Sequence, residues 1–461
     1  MLGHIASAGA VAAALAAQAE IPREIVDHQP GGTALEGLAA QPLSIRPAVQ
    51  LEYPTAPGKA YQLLQSGEVT KWAPFELVRL GDGRSAKVLL SADEATKFFR
   101  LAVNDVRDLN AWLEPIRAAN NVPALAAAVI RSNQVVGLGA VGRRKADVAA
   151  APVTLADKWH HGSLTKSMTA TLAAILVERG EITWETTLEQ VFPAQATAML
   201  PAWRTVRLDW LCSNRGGAPG DLGPGGIWNE LWNFKGTPTE GRRLLLTRLT
   251  ARAPSSTPGT KYEYSNAGFA LAGHMLETVA DQPWEALLTE RLFGPLGMTS
   301  AGFGVPATPR HIDQPWGHQR VSASNNPMEP GTNADNPPAI GPAGTVHCSL
   351  LDLAKYAAFH LAGHHADTPL LPRDVMRKLH TAVPDNGNYA YGWNESTRPW
   401  ANGLTLSHAG SNVQWYSVIW IVRHRDFAVA ALSNIAAASN PNPGALATDQ
   451  AVGRMIQEFL P

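Results

Sequence analysis

Ser163-Leu164-Thr165-Lys166, Tyr264-Ser265-Asn266 and His408-Ala409-Gly410 follow one another along a chain of 461 residues. Their side chains are those a serine acylation site requires. A serine hydroxyl is a weak nucleophile until a base stands within hydrogen-bond reach. Lys166 lies three residues after Ser163, so in a helix the two share a face about one turn apart. A lysine serves as a base only where burial or a neighbouring cation lowers its pKa, and the Ala-rich, apolar stretch 163–178 would bury it. A helix starting at Ser163 would also favour developing negative charge there. Tyr264 can accept or relay the serine proton when cations lower its pKa. The Asn266 amide both donates and accepts, so it can hold a lysine and a substrate carbonyl together. Gly410 lets a substrate approach the backbone closely, and the N–H of Ser411 could join that of Ser163 as an oxyanion hole.

Each motif also has a plain structural explanation. Ser163/Lys166 is the one SxxK of this chain, and about one is expected by chance at this length; a capping serine and a surface lysine would satisfy it. Tyr264 to Asn266 could be a turn with a helix cap. An HxG triplet recurs at His160-His161-Gly162, where both histidines are expected to be structural or to sit at the rim of the site. His408 is the histidine a Ser-His pairing would call on, but Lys166 is better placed by sequence. The chain has 14 histidines, including the neighbours His160-His161 and His364-His365 and the pair His347-Cys348. None has the i, i+4 spacing of a zinc-binding HExxH helix, and no Gly-rich phosphate loop occurs. The sequence therefore implies neither metal nor cofactor.

The elements that must position these residues follow from patterning. Hydrophobic residues make up 45% of the chain and charged ones 17%, which favours a packed core over disorder. A net charge of -1 argues against polyanion binding, nucleic acid included, as the main task; the serine chemistry points instead to a small-molecule ester or amide. No apolar run reaches the roughly 20 residues of a membrane span. Cys212 and Cys348 are too few for a disulfide framework and are expected to be buried free thiols. Residues 1–19, with an apolar run Ile5 to Ala16 and a small-x-small Ala17-Gln18-Ala19, have the form of an export signal, although no Lys or Arg precedes the run. Residues 20–42 form a Pro/Gly-rich lead-in. Over 43–104, Val49, Leu51 and Tyr53, then Tyr61 and Leu63, Val88 and Leu90, and Phe99, Leu101 and Val103 alternate between turn signals, which predicts a small antiparallel β module. Further on, a helix is expected over 109–119 and a hairpin over 124–130 and 135–141, turning at Ser132-Asn133. A largely buried helix should run from Ser163 to Glu178, ending at Gly180, and another from Ala267 to Val279. Strands are expected over 415–422 and 427–433 and a last helix over 444–459. The segment 306–344 reads as one long loop. Trp228, Trp232 and Trp316 fall in expected loops, as pocket lining or as packing.

These motifs together resemble the serine β-lactamase and penicillin-binding-protein-like hydrolases, in the branch of class C β-lactamases, D-alanyl-D-alanine carboxypeptidases, D-amino-acid-specific peptidases and family VIII carboxylesterases. The resemblance spans about 108–461. It includes Val122-Pro123-Ala124, Gly162 to Ser167, Leu208 to Gly217, Pro342-Ala343-Gly344 before Asp352-Leu353-Ala354, Tyr391-Gly392-Trp393 and Leu432-Ser433-Asn434. It implies an α+β fold, an antiparallel sheet covered by helices plus an all-helical lobe, with the site between them. It also implies Ser163 as the acylated residue, Lys166 and Tyr264 as partners in base work, Asn266 on the substrate amide or carbonyl, and His408 to Ser411 as the substrate-flanking strand. Two departures stand out. His-Ala-Gly replaces the Lys-Thr-Gly whose lysine helps bind a substrate carboxylate, and Asn214 stands where the family loop usually has His. The expectation is a hydrolase of small carboxylic esters working through acyl-Ser163. The alternatives are amide hydrolysis at the same site, as a D-amino-acid peptidase or weak β-lactamase, and a non-catalytic binding protein on this fold.

Overall fold

The computed structural model describes residues 48–56, 58–66, 73–74, 79–81, 84–91, 98–131, 134–147, 149–384, 387–438 and 440–460. The expected export signal, the lead-in and the Ser132-Asn133 turn lie outside the described residues. The chain divides into two compact units at Val106/Arg107.

In the first unit, Ala48–Pro54 pairs antiparallel with Ser85–Ser91, and Lys59–Ser66 with Phe98–Asp105. Tyr53, Tyr61, Leu63, Ala86 and Val88 form its core, with Leu51, Phe99 and Leu101 packed against them. These are the alternating positions, as half-buried strands demand. Val103 shares the alternation but is 48% exposed.

The second unit is built on helix α1 (Asn110–Ala119), strands β1 (Ala124–Arg131) and β2 (Gln134–Gly142), helices α2 (Thr165–Glu178), α3 (Asn266–Val279) and α4 (Leu350–Gly363), strands β3 (Asn394–Arg398), β4 (Gly403–Ser411), β5 (Tyr416–Val422) and β6 (Phe427–Ser433), and helix α5 (Pro443–Phe459). The sheet runs β3-β4-β5-β6-β1-β2, with the short strand Arg107–Asp108 beyond β2. Every labelled neighbour pair is antiparallel. β1 and β6 carry apolar or small side chains at almost every position and are buried on both faces, the signature of a sheet covered on each side. Leu125, Ala127, Val129, Phe427, Val429 and Ala431 face α1 and α5, packing on Leu109, Leu113, Ala451 and Met455. α4 packs against β6 and β1 as well, and Ala126, Ala128, Ile130, Ala428 and Ala430 are buried too.

The helical lobe gathers α2, α3, Leu208–Cys212 and Pro238–Thr250. α2 and α3 are almost wholly buried, as central helices must be, and the polar side chains of α2 are buried along with its apolar ones. Arg242 is buried between them and the surface, its Nε donating to Glu277 Oε1 at 2.9 Å and its Nη1 to Glu285 Oε1 at 2.9 Å.

Three expectations are corrected. The α-helix begins at Thr165, and Ser163 sits before it in a 3-10 turn, Gly162–Leu164. The reason is Gly162, whose φ of +50° is a left-handed conformation that no regular helix contains. The segment 306–344 is not one loop: Gly317–Val321 and Ser324–Met328 form an antiparallel hairpin, followed by short helical turns over 332–334, 338–340 and 341–344. The hairpin is polar on most positions, so it lacks the apolar alternation that marks a strand. Trp228 and Trp232 lie on a helix, Ile227–Asn233, as an edge-to-face pair 5.6 Å apart, whereas Trp316 is buried with Lys145 over its ring. Cys212 and Cys348 are free and buried.

Candidate active site

The three motifs converge. β4 passes so close to the 3-10 turn that a Cβ on Gly410 would stand 1.9 Å from the His161 carbonyl oxygen and 2.7 Å from the Ser163 nitrogen. Reciprocally, a Cβ on Gly162 would stand 2.4 Å from the Ser411 nitrogen. Two glycines therefore permit the contact that brings the backbone of Ser163 to that of Gly410 and Ser411. Ser163 itself is partly exposed, while Gly162 and Leu164 on either side are buried.

Lys166 is fully buried. Its Nζ lies 3.0 Å from Ser163 Oγ, 2.7 Å from Asn266 Oδ1 and 2.8 Å from the Ala343 carbonyl oxygen. Burial pushes the amine well below the usual lysine range, because a charge taken out of water is penalised. No carboxylate approaches it among the ion pairs of the described residues.

Tyr264 is half-buried; burial, the largest influence, raises its pKa against the lowering effect of the nearby Ser163 hydroxyl. Its ring lies under Lys166, Nζ to centroid 4.6 Å. Ser265 caps α3: its Oγ accepts the Gly268 N–H at 3.1 Å. The cap explanation of this motif is met, and the same turn brings both the Tyr264 ring and Asn266 Oδ1 to Lys166 Nζ.

His408 is buried, 3% exposed. Its Nδ1 pairs with the Ala409 carbonyl at 2.7 Å, which makes Nδ1 the protonated nitrogen. Its ring stands edge-on to Tyr389, 6.2 Å between centroids. Burial, then the neighbouring Lys166, push its pKa down to about 3, so it is neutral at pH 7. Ala409 and Ser411, not His408, are the partly exposed residues of this stretch.

Several residues of the site are marked in sequence only by the resemblance, with no role assigned to them. Ala343 contributes only a carbonyl, and a backbone group leaves no trace in residue type. Asn214 accepts the Ser265 N–H at 3.0 Å, so it braces the Tyr264 motif; in sequence it stands out only as a departure from the family loop. Gly392, at φ +80°, lies where a Cβ would stand 2.4 Å from Ser167 Cα; it lets the 389–393 segment lie against the start of α2. His160 and His161 are both buried, the latter with Nε2 at 3.0 Å from Cys348 Sγ. Among the described residues, no group of three or more His, Cys, Asp or Glu is placed to hold a metal ion, and no helix is long and apolar enough to cross a membrane.

Comparison with known proteins gives a consistent answer. A family model described as Beta-lactamase matches residues 109–452. The chain is similar to penicillin-binding protein 4 of Amycolatopsis lactamdurans, 26% identical over 333 residues that cover 70% of this chain and 83% of that protein. Its fold is similar to that of the octameric penicillin-binding protein homologue from Pyrococcus abyssi, with a TM-score of 0.61 and 22% identity over 75% of this chain and 76% of that one. It is also similar to a D-stereospecific amidohydrolase from Streptomyces sp., with a TM-score of 0.57 and 21% identity over 74% and 97% of the two chains.

Proposed function

The chain belongs to the beta-lactamase family of serine hydrolases, and from that premise we propose that Ser163 is acylated by small carboxylic esters and that water then releases the acid. The observation that carries this is the surroundings of Lys166. Two of its three partners, Asn266 Oδ1 and the Ala343 carbonyl oxygen, can only accept hydrogen bonds. A neutral amine has two N–H donors and one lone pair. The carbonyls take both donors, and the lone pair is left for the Ser163 hydroxyl at 3.0 Å. Burial favours that neutral form. Lys166 is then the base that removes the Ser163 proton as Oγ attacks the ester carbon. The resulting ammonium gains a third acceptor in the oxygen it has deprotonated.

Tyr264 is held as a phenol, so it suits the other half of the proton work: it donates to the leaving oxygen, with its own proton restored from Lys166. Asn266 gives its carbonyl to Lys166 and keeps its N–H for a substrate carbonyl. The N–H groups of Ser163 and Ser411, brought together by Gly162 and Gly410, would receive the oxyanion.

Neutral His408 in place of a lysine leaves no cation on β4 for a substrate carboxylate, which favours uncharged acyl groups. The second reading is amide hydrolysis. Its specific support is the protonated Tyr264, since an amine leaves only when a proton is supplied, and it agrees with the amide- and penicillin-directed names of the similar proteins. A binding protein would gain nothing from burying an unpaired lysine against a serine, because that burial costs stability.

The test is intact-mass spectrometry of wild type and Ser163→Ala after brief exposure to a p-nitrophenyl ester, a penicillin and a fluorophosphonate. An adduct on wild type only is expected, with the ester turning over fastest. Lys166→Ala and Tyr264→Phe should each lower acylation about 10²–10⁴-fold. Ester turnover unchanged in Ser163→Ala would refute the proposal.

A further inference from the structure

Behind the nucleophile turn lies an aspartate–histidine pair that the acylation chemistry does not use. His160 Nε2 stands 2.9 Å from Asp335 Oδ1, with the His160 side chain fully buried and that of Asp335 9% exposed. On the other side of the ring, Nδ1 accepts the Gly162 N–H at 3.1 Å. A ring nitrogen that accepts carries no proton, so the proton is on Nε2, which faces the Asp335 carboxylate across 2.9 Å without the in-line geometry of a hydrogen bond. The negative charge of Asp335 beside Nε2 favours that tautomer, the one whose Nδ1 grips Gly162, the residue before Ser163.

Asp335 is tied to more than this ring. Its carboxylate accepts from Asn412 Nδ2 at 3.3 Å, just past the end of β4, and from the Asn336 N–H at 2.7 Å. Asn336 Nδ2 donates in turn to the Gly344 carbonyl at 2.9 Å, next to Ala343, whose carbonyl holds Lys166. Residues 335 and 336 thus join three strips of backbone: the one carrying Ser163, the one beyond Ser411 and the one that orients Lys166. Among the described residues His160 is the ion-pair partner shown for Asp335, and a buried carboxylate without Arg or Lys is a costly way to fill space.

We propose that His160 and Asp335 form a positioning couple that sets Ser163 against Lys166 and β4, a role that rests on the acylation reading above. Neither group touches substrate. Asp335 orients His160, and His160 holds the Gly162 N–H and with it the left-handed step that turns Ser163 out of the helix.

Two substitutions at His160 give opposite rankings for this role and for simple packing. His160→Phe keeps the ring volume but offers Gly162 no acceptor. His160→Asn leaves a void but places its Oδ1 where Nδ1 stood. The measurements are the fluorophosphonate labelling rate at Ser163, the kcat and KM for a p-nitrophenyl ester, and thermal unfolding to establish folding. Expected is labelling of His160→Asn within about tenfold of wild type, and a fall of about 100-fold in His160→Phe, the size of a 1 Å misplacement, in kcat rather than KM. A Phe variant that labels as fast as the Asn variant overturns the couple. If His160→Phe does not fold, Asp335→Asn against Asp335→Ala decides. Asn keeps a carbonyl oxygen facing His160 Nε2 and the bonds to Asn412 and Asn336, and should retain most of the rate, while Ala should lose about tenfold or more; equal rates overturn the proposal. Wild type and Ser163→Ala run alongside. An unlabelled wild type refutes the acylation reading itself, whereas a labelled wild type with misordered variants refutes only the couple.

Discussion

Gly410→Ala is the most demanding single-atom perturbation of this site. The added methyl would stand 1.9 Å from the His161 carbonyl oxygen, 2.7 Å from the Ser163 nitrogen and 2.8 Å from the Leu164 nitrogen. A carbon and a carbonyl oxygen rest about 3.3–3.6 Å apart, so β4 and the 3-10 turn must separate by more than about 1 Å. None of the three atoms is the end of a flexible side chain. The His161 carbonyl is also pinned, by the Ser417 hydroxyl at 3.0 Å and the Leu164 N–H at 3.2 Å. Overpacking of this kind costs about 1–3 kcal/mol, so unfolding should move down by a few degrees. Activity should fall much further, because a 1 Å shift of reacting groups costs about 100-fold. The assay is the fluorophosphonate labelling rate at Ser163 beside calorimetric unfolding. Gly453→Ala is the control: it lies inside α5 with nothing within 4 Å of the new methyl, and should stabilise by about 1 kcal/mol without touching the labelling rate. Wild-type labelling in Gly410→Ala would show that the close approach of β4 and the turn is not what assembles the site.

The buried histidines set the response to acid. Burial first of all pushes His161, His360 and His408 down to about 3, and His318 and His347 to about 4, from roughly 6.5 in the unfolded chain. Between those values the unfolded chain binds protons that the native one refuses. Stability is therefore full above about pH 6.5 and is lost as pH falls, by about 2 kcal/mol at pH 5 for each group displaced to 3. Urea midpoints at pH 7 and pH 5 measure it, and equal midpoints would mean that the rings are not held neutral. In the helical lobe, burial works against the charge on Glu277, yet its bonds to His274 and Arg242 hold it down to about 2. Arg242→Met strands that carboxylate and should cost about 3–5 kcal/mol, read from the urea midpoint; a loss under 1 kcal/mol would mean that the network contributes little. Val413 follows β4 at φ +70° with a 40% exposed side chain, a backbone state that costs a β-branched residue about 1–2 kcal/mol. Val413→Gly is expected to raise the melting temperature, and a fall would place compensating contacts on that side chain.

What could be read in the sequence and what could not divide along sequence distance. Ser163 and Lys166 were legible because three residues of helix-like spacing fix their relation locally. The strands and the last helix were legible because a sheet buried on both faces writes apolar runs into β1 and β6, and an amphipathic stripe into α5. The polar hairpin 317–328 was missed because it is held by backbone bonds to 414 and 436, such as His318 N–H to Gln414 O at 3.0 Å and Arg320 N–H to Ala436 O at 2.9 Å, not by an apolar face. The start of α2 was misplaced because the sequence shows that Gly162 can adopt a positive φ but not that the close passage of β4 requires it.

The same division explains why the motifs alone left the chemistry open. SxxK predicts that an amine lies near a hydroxyl; it does not predict which of the two carries the proton. In the proposed mechanism burial decides it by favouring the neutral amine, while Asn266, 100 residues away, and the Ala343 carbonyl, 177 residues away, take its two N–H donors. Both are acceptors, and with both donors taken the proposed mechanism leaves the lone pair of the desolvated amine for Ser163. Replace either with a donor and the same Ser163 and Lys166 at the same spacing would no longer make a base and a nucleophile. The proposed chemistry therefore depends on long-range packing: α2, α3 and the 341–344 turn bury one nitrogen and set two acceptors beside it.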